Sequence, residues 1–113
     1  MEKIVEQGML YDFYGELLTP HQRKIYEDVV FNDMSLSEIA EEQGISRQGV
    51  HDTLARAEQL LASYETALGC IARDRQIEQG LAVIERCAHT LQHIAGAQDC
   101  AAQILQAVQT IKE

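Results

Sequence analysis

The sequence predicts an all-α fold, a helix-turn-helix followed by a C-terminal helical extension, on three observations. No run of alternating β-branched residues bounded by turn pairs occurs in the 113 residues. Apolar residues recur three and four apart through most of the chain, the spacing that stacks them on one face of a helix. Segment starts carry a hydroxyl residue followed three positions later by glutamate or glutamine, the pattern that closes a capping box.

The first helix is read over Glu2–Leu17, with Met9, Leu10, Phe13, Tyr14 and Leu17 on one face. Gly8 and Gly15 weaken it, so it depends on tertiary contacts. The aromatic run "YDFY" at 11–14 is assigned to the core. The second helix opens at "TPHQ": Thr19 caps, Pro20 takes the first helical position, and Gln22 closes the box. Ile25 and Val29, with Tyr26 and Val30, face inward, and Asn32 and Asp33 end the helix as turn formers. The third begins at Ser35, boxed by Glu38, with Met34 packing on Ile39 as a hydrophobic staple. It stops at Gln43-Gly44, where glycine is free to take the left-handed conformation. The fourth starts at Ser46 with a second staple from Ile45 to Val50, and beyond Gly49 in its first turn runs without glycine or proline to Gly69.

From there the apolar spacing is heptad-like: Leu54, Ala57, Leu61, Tyr64, Leu68 and Ile71. "RDRQ" at 73–76 breaks this register. A second series follows at Ile77, Leu81, Ile84, Ala88, Leu91 and Ala95. "AGAQD" at 95–99 makes a turn with Asp99 as a cap, and a third series runs Ala101, Ile104, Val108 and Ile111. The organisation is a helix-turn-helix domain at 1–68 and a helical extension at 69–113 that packs on it or on a second chain. Narrow apolar stripes need partners. Short Ala-rich helices bury little alone, which favours a homodimer through the C-terminal helices.

Charge narrows the function. A formal net charge of -9 and a pI near 4.8 argue against loose electrostatic binding to nucleic acid. The charge is uneven, however: over 46–59, Arg47 and Arg56 balance Asp52 and Glu58. Cys70, Cys87 and Cys100 form no C-x-x-C, so a zinc ribbon or redox motif is not indicated, and they are assigned as small buried apolar residues in a reducing cytoplasm. "MEKIVEQGML" lacks the apolar run of a signal peptide, and no stretch is long enough to cross a bilayer, so a cytoplasmic protein without membrane association is expected. Glu85, His89 and His93, spaced i, i+4, i+8, are read as a solvated helix face rather than a metal site. No phosphate loop or nucleophile triad occurs, and the chain is read as a non-enzyme without cofactor or metal.

The middle of the chain carries the functional signal. A short helix ends at Gly44, a tight turn follows, and Ser46 starts the next helix. Ala40 is small where the helices would cross, and Ile39, Ile45 and Val50 form the wedge between them. That geometry is a helix-turn-helix whose second helix presents Ser46, Arg47, Gln48, Gly49, His51, Asp52 and Arg56 outward as the nucleic-acid-binding set. The helix start offers N–H groups and a positive dipole end to a phosphate, and Ser46 adds a hydroxyl. Arg47 suits guanine or a phosphate, Gln48 adenine and Asp52 cytosine, while His51 donates or accepts. Gly49 lets a backbone approach closely. Arg23, on the second helix, adds a phosphate contact.

The segment "LTPHQRKIYEDVVFNDMSLSEIAEEQGISRQGVHD" resembles the last DNA-binding region, region four, of bacterial sigma factors. With "YDFYGELLTP" before it and "RAEQLLASYE" after it, residues 5–68 more closely resemble the YlxM-type helix-turn-helix family. The resemblance implies DNA-binding transcription regulation or modulation of the signal recognition particle pathway. The implied partners are therefore DNA, or the protein or RNA components of that particle. The chain departs from the sigma pattern at His51, where arginine is usual, at Thr53, where Leu54 takes the apolar role, and at Gln43.

Overall fold

The computed structural model describes residues 2–113. Among these are six α-helices, one 3₁₀ turn and no strand. The helices are α1 (Lys3–Tyr14), α2 (Pro20–Val30), α3 (Leu36–Gln43), α4 (Arg47–Leu68), α5 (Cys70–Leu91) and α6 (Gln98–Lys112), with the 3₁₀ turn at Gly15–Leu17 between α1 and α2. The chain divides into two compact units, Met1–Ile71 and Ala72–Glu113.

Unit 1 is built around two clusters. Tyr14, Leu18, Tyr26, Ala57, Leu61 and Ile71 form the first. Ile25, Ile39, Ala40 and Val50 form the second, and Leu54 packs against both. The second cluster joins the helix-turn-helix pair to α2, so the position of α4 follows from side chains that water does not reach. Both capping boxes are present: Thr19 Oγ accepts from the Gln22 N–H and Ser35 Oγ from the Glu38 N–H, while each partner side chain accepts from the cap's own N–H. α3 ends at Gly44, whose φ of 68° is left-handed, and the Gly44 and Ile45 N–H groups both donate to the Ala40 carbonyl.

Several details depart from the sequence reading. The first helix stops at Tyr14 and tightens into the 3₁₀ turn at Gly15, where the missing side chain leaves room for the Tyr11 ring, since a Cβ there would lie 2.9 Å from it. The tighter winding rotates the following residues. Leu18 becomes the buried one, while Leu17 and Phe13 are exposed. Ile45 is also exposed, so the wedge between α3 and α4 consists of Ile39 and Val50 with Ala40, Ile25 and Leu54. The three cysteines, expected inside, are all exposed: inward positions on their helices are taken by Ile71, Ala88 and Ala101, one residue further along.

α4 ends at Gly69, also left-handed at φ 64°. The junction is fastened from both sides. The Glu65 carboxylate accepts from the Tyr14 hydroxyl at 2.5 Å and from the Ile71 N–H at 3.0 Å, and the Tyr14 oxygen accepts from the Cys70 N–H at 3.1 Å. Two N–H groups that open α5 are thereby satisfied by residues of α4 and α1. Burial and this carboxylate push the Tyr14 hydroxyl up to about 12. Burial does the same for Tyr26, also to about 12, whose hydroxyl donates to the Gln7 carbonyl.

Unit 2 is the body of α5 and the whole of α6, joined by a turn over 92–97. Leu81 and Ala88 meet Ala101 and Val108 as its buried residues, and Lys112 Nζ lies 3.3 Å from Glu85 Oε2. "RDRQ" lies inside a continuous α5, and the interruption falls at Gly69 instead. Charged and amide side chains are good helix formers, whereas a left-handed glycine ends a helix. Asp99 sits in the first turn of α6 but makes no cap hydrogen bond; Ala97 occupies the cap position.

Candidate nucleic-acid interface

On top of the core packing, local features set the tip of α4. Gly44 turns the chain, Ser46 caps the new helix through its Oγ, which accepts from the Gly49 N–H at 2.9 Å, and Val50 anchors the first turn in the core. A buried Val50 leaves the remaining first-turn positions outward. Ser46, Arg47, Gln48, His51 and Asp52 are exposed, and Arg56 is exposed one turn further on. The predicted α4 residues thus lie together on one helix.

Their chemistry is partly arranged already. Gln48 Nε2 donates to Asp52 Oδ1 at 2.8 Å, and His51 Nδ1 lies 3.6 Å from the same oxygen. The carboxylate, which would repel a phosphate, is turned toward two side chains of its own helix. Arg47, Gln48 and His51 line a shallow hollow with Leu36 from the start of α3. Leu36 was not among the predicted residues. Its position straight after the Ser35 cap is the signal that would have found it. Arg56 borders a second hollow with Asp52, Ala55 and Gln59.

Gly49 has an additional local reason. A Cβ there would lie 3.2 Å from Ser46 Oγ and 3.9 Å from Ile45 Cδ1, so the missing side chain leaves room for the cap.

Arg23 is not brought to the α4 set. It is half-buried, and its charged form is favoured first by the Tyr11 hydroxyl and then by the charges of Glu27 and Glu16. Tyr11 also donates to Glu27 Oε1, so Arg23 belongs to a cluster joining α1 to α2. Nearer α3, the Lys24 ammonium donates to Asp28 at 3.1 Å and feels Glu42. Asp28 is fully buried and also accepts from Asn32 Nδ2 at 3.0 Å, while its second oxygen is buried without a partner. This carboxylate was missed. The i, i+4 pairing of Lys24 with Asp28, followed by Asn32 four residues later, is the pattern that reveals it.

No group of three or more histidine, cysteine or acidic residues is placed to hold a metal among the described residues. α5 ends at Leu91, so His93 lies in the turn and off the face that carries Glu85 and His89. No helix among the described residues is long and apolar enough to cross a membrane.

The fold and the α3–turn–α4 geometry define an all-α helix-turn-helix protein. The family described as "Putative helix-turn-helix protein, YlxM / p13 like" matches residues 1–103, and the chain belongs to that family. It is 51% identical over 78 residues to the UPF0122 protein of Thermoanaerobacter sp. (strain X514), covering 69% of this chain and 67% of the relative. It is 48% identical over 79 residues to a homologue in Caldanaerobacter subterraneus subsp. tengcongensis, covering 70% and 68% respectively. A Geobacillus kaustophilus homologue is 43% identical over 86 residues, 76% of each chain.

Proposed function

We propose that this protein is a regulator that reads duplex DNA with the first turns of α4. The observation that carries this reading is the exposure of Ser46, Arg47, Gln48, His51 and Arg56 on a helix start held by buried Val50 and Ile39. The helix N-terminus faces a phosphate, Arg47 takes a guanine edge or a phosphate, and the Gln48 amide is already oriented by Asp52. Gly49 holds the cap that aims them. Arg23 and Lys24 contribute to the field from α2 rather than contacting bases.

Unit 1 carries five basic against thirteen acidic side chains. Non-specific duplex is therefore repelled, and discrimination rests on a few contacts. Two or three phosphate contacts give a shallow slope of about −2 to −3 in log K against log salt, at roughly −0.9 per phosphate.

Selection from a random duplex pool, followed by titration of the enriched site at several salt concentrations, tests this. One enriched motif with that slope, bound about tenfold more weakly by Arg47→Ala, is the expected outcome. Absence of any enriched motif at low salt would overturn it.

The same acidic balance favours a second reading, a modulator docking a basic partner through the exposed carboxylates Glu38, Glu41 and Glu42 of α3. The YlxM-type resemblance points to protein or RNA components of the signal recognition particle. Binding to such a component, unaffected by Arg47→Ala and lost on charge reversal of Glu41 and Glu42, would support it over DNA reading.

A further inference from the structure

We infer that a second copy of this chain covers the apolar face that unit 2 leaves open, joining two α5–α6 pairs into a four-helix bundle. The seam between α5 and α6 uses Leu81, Ala88, Ala101 and Val108. The apolar arc on each helix is wider than that seam. On α5 it continues through Ile77, Ile84 and Cys87, all exposed, and on α6 through Cys100, Ala107 and Ile111, also exposed. In an antiparallel pair, residues stepped the same way from each seam turn to the same side, so the two arcs merge into one face. Ile77 and Ile111 come together at one end of the pair, around a hollow also lined by Asp74, Glu78, Glu85 and Lys112.

Size and charge identify the occupant. Unit 2 spans only Ala72–Glu113 and buries two alanines, one leucine and one valine. Units of about forty residues need a staple or oligomerisation to hold together. Unit 2 carries four basic and five acidic side chains of mixed order, so two copies meet without net repulsion. There is no excess charge of one sign for a strongly basic or acidic partner to recognise. Unit 1, with its large acidic excess, would repel its own copy. A self-complementary, nearly neutral, apolar face matches the isologous contact of a two-fold dimer.

Sedimentation equilibrium of the full chain in reductant, from about 1 to 100 μM, tests this through the concentration dependence of a dimer. The expected mass is twice 12.7 kDa at the upper end. Ile84→Glu should weaken the dimer at least about tenfold, as a charge buried at an interface centre does. Leu17→Glu, at an exposed position in unit 1, should leave it unchanged. A monomer throughout, or a dimer indifferent to Ile84→Glu, would overturn the inference. So would a dimer lost in Leu17→Glu with helicity intact. If Ile84→Glu loses helicity, the Cys87 alkylation rate in a Cys70→Ser, Cys100→Ser chain decides instead. A rate that falls as protein concentration rises supports the dimer, and a constant rate overturns it.

Discussion

Unit 1 fully buries Tyr26, Ile25, Ile39, Leu61 and Val50, whereas among the described residues unit 2 buries Leu81, Val108, Ala88 and Ala101. In unit 1, α2, α3 and α4 start with side-chain caps, while α1 of the same unit and α6 begin without one. Unit 1 holds nearly all of the acidic excess, and unit 2 is close to neutral. The contrast separates two uses of similar helices. The core behind α4 is dry and its start is fastened by Ser46, Gly44 and Val50, which is what the proposed reading of DNA requires of a recognition helix. α5 and α6 instead leave apolar side chains exposed, as the inferred self-association requires.

The largest effect that could break this comparison is in the cores. Ile39→Ala should cost unit 1 about 2–5 kcal/mol, the range for emptying a fully buried aliphatic site. Val108→Ala should cost about 1–2 kcal/mol, because fewer methylenes leave a thinner seam. Urea unfolding followed by circular dichroism measures both, and equal losses would erase the distinction between the units.

Alkaline pH should act on unit 1 first. All four tyrosines lie there, and Tyr14 and Tyr26 are both raised to about 12. In the unfolded chain each loses its proton near pH 10. Their extra stability is therefore complete below pH 10 and is lost as pH rises through 12. Tyrosinate absorbance should show two late, unfolding-linked titrations. Four tyrosines titrating together near 10 in folded protein would contradict the burial of Tyr14 and Tyr26.

Caps give a smaller test. Ser35→Ala removes a bond to the Glu38 N–H and should cost about 1 kcal/mol. Asp99→Ala removes no cap bond and should cost only the dipole contribution, about 0.3–0.5 kcal/mol. Thermal melts of the two variants rank them, and a reversed order would sink the account of how each helix starts. Gly49→Ala should have the smallest effect. Helix propensity favours alanine by about 1 kcal/mol. The 3.2 Å approach of the new Cβ to Ser46 Oγ offsets part of that gain. A net change within about 0.5 kcal/mol is expected, and a loss well beyond it would mean the cap cannot adjust.

Much of unit 1 is legible because its boundaries are written in local chemistry. Thr19-Pro20 with Gln22, Ser35 with Glu38, and Gly44 each specify a start or stop through side chains a few residues apart, and the helices begin and end there. The outward placement of Ser46, Arg47, Gln48, His51, Asp52 and Arg56 follows from the Gly44–Ser46 turn and Val50 by helical period alone. Tertiary contacts decide what is not legible. Nothing in the spacing says that the Tyr11 ring needs Gly15 to be bare, or that Tyr11 and Glu27 engage Arg23. The cysteines were assigned inward by type, yet one-residue offsets on α5 and α6 turn them outward. Periodicity marks Ile77, Leu81 and Ile84 as apolar positions, but not that Leu81 is buried while Ile77 and Ile84 are left open.

On the proposed reading, the first turns of α4 contact DNA. The most direct test is to record amide shifts of the labelled full chain as the selected duplex is added. The account predicts that shifts concentrate at Ser46–Asp52 and extend to Arg56, with the Gln48 side-chain amide moving as it leaves Asp52. Shifts confined to the carboxylates of α3 or to α5 and α6, with Arg47 and Gln48 unmoved, would contradict it.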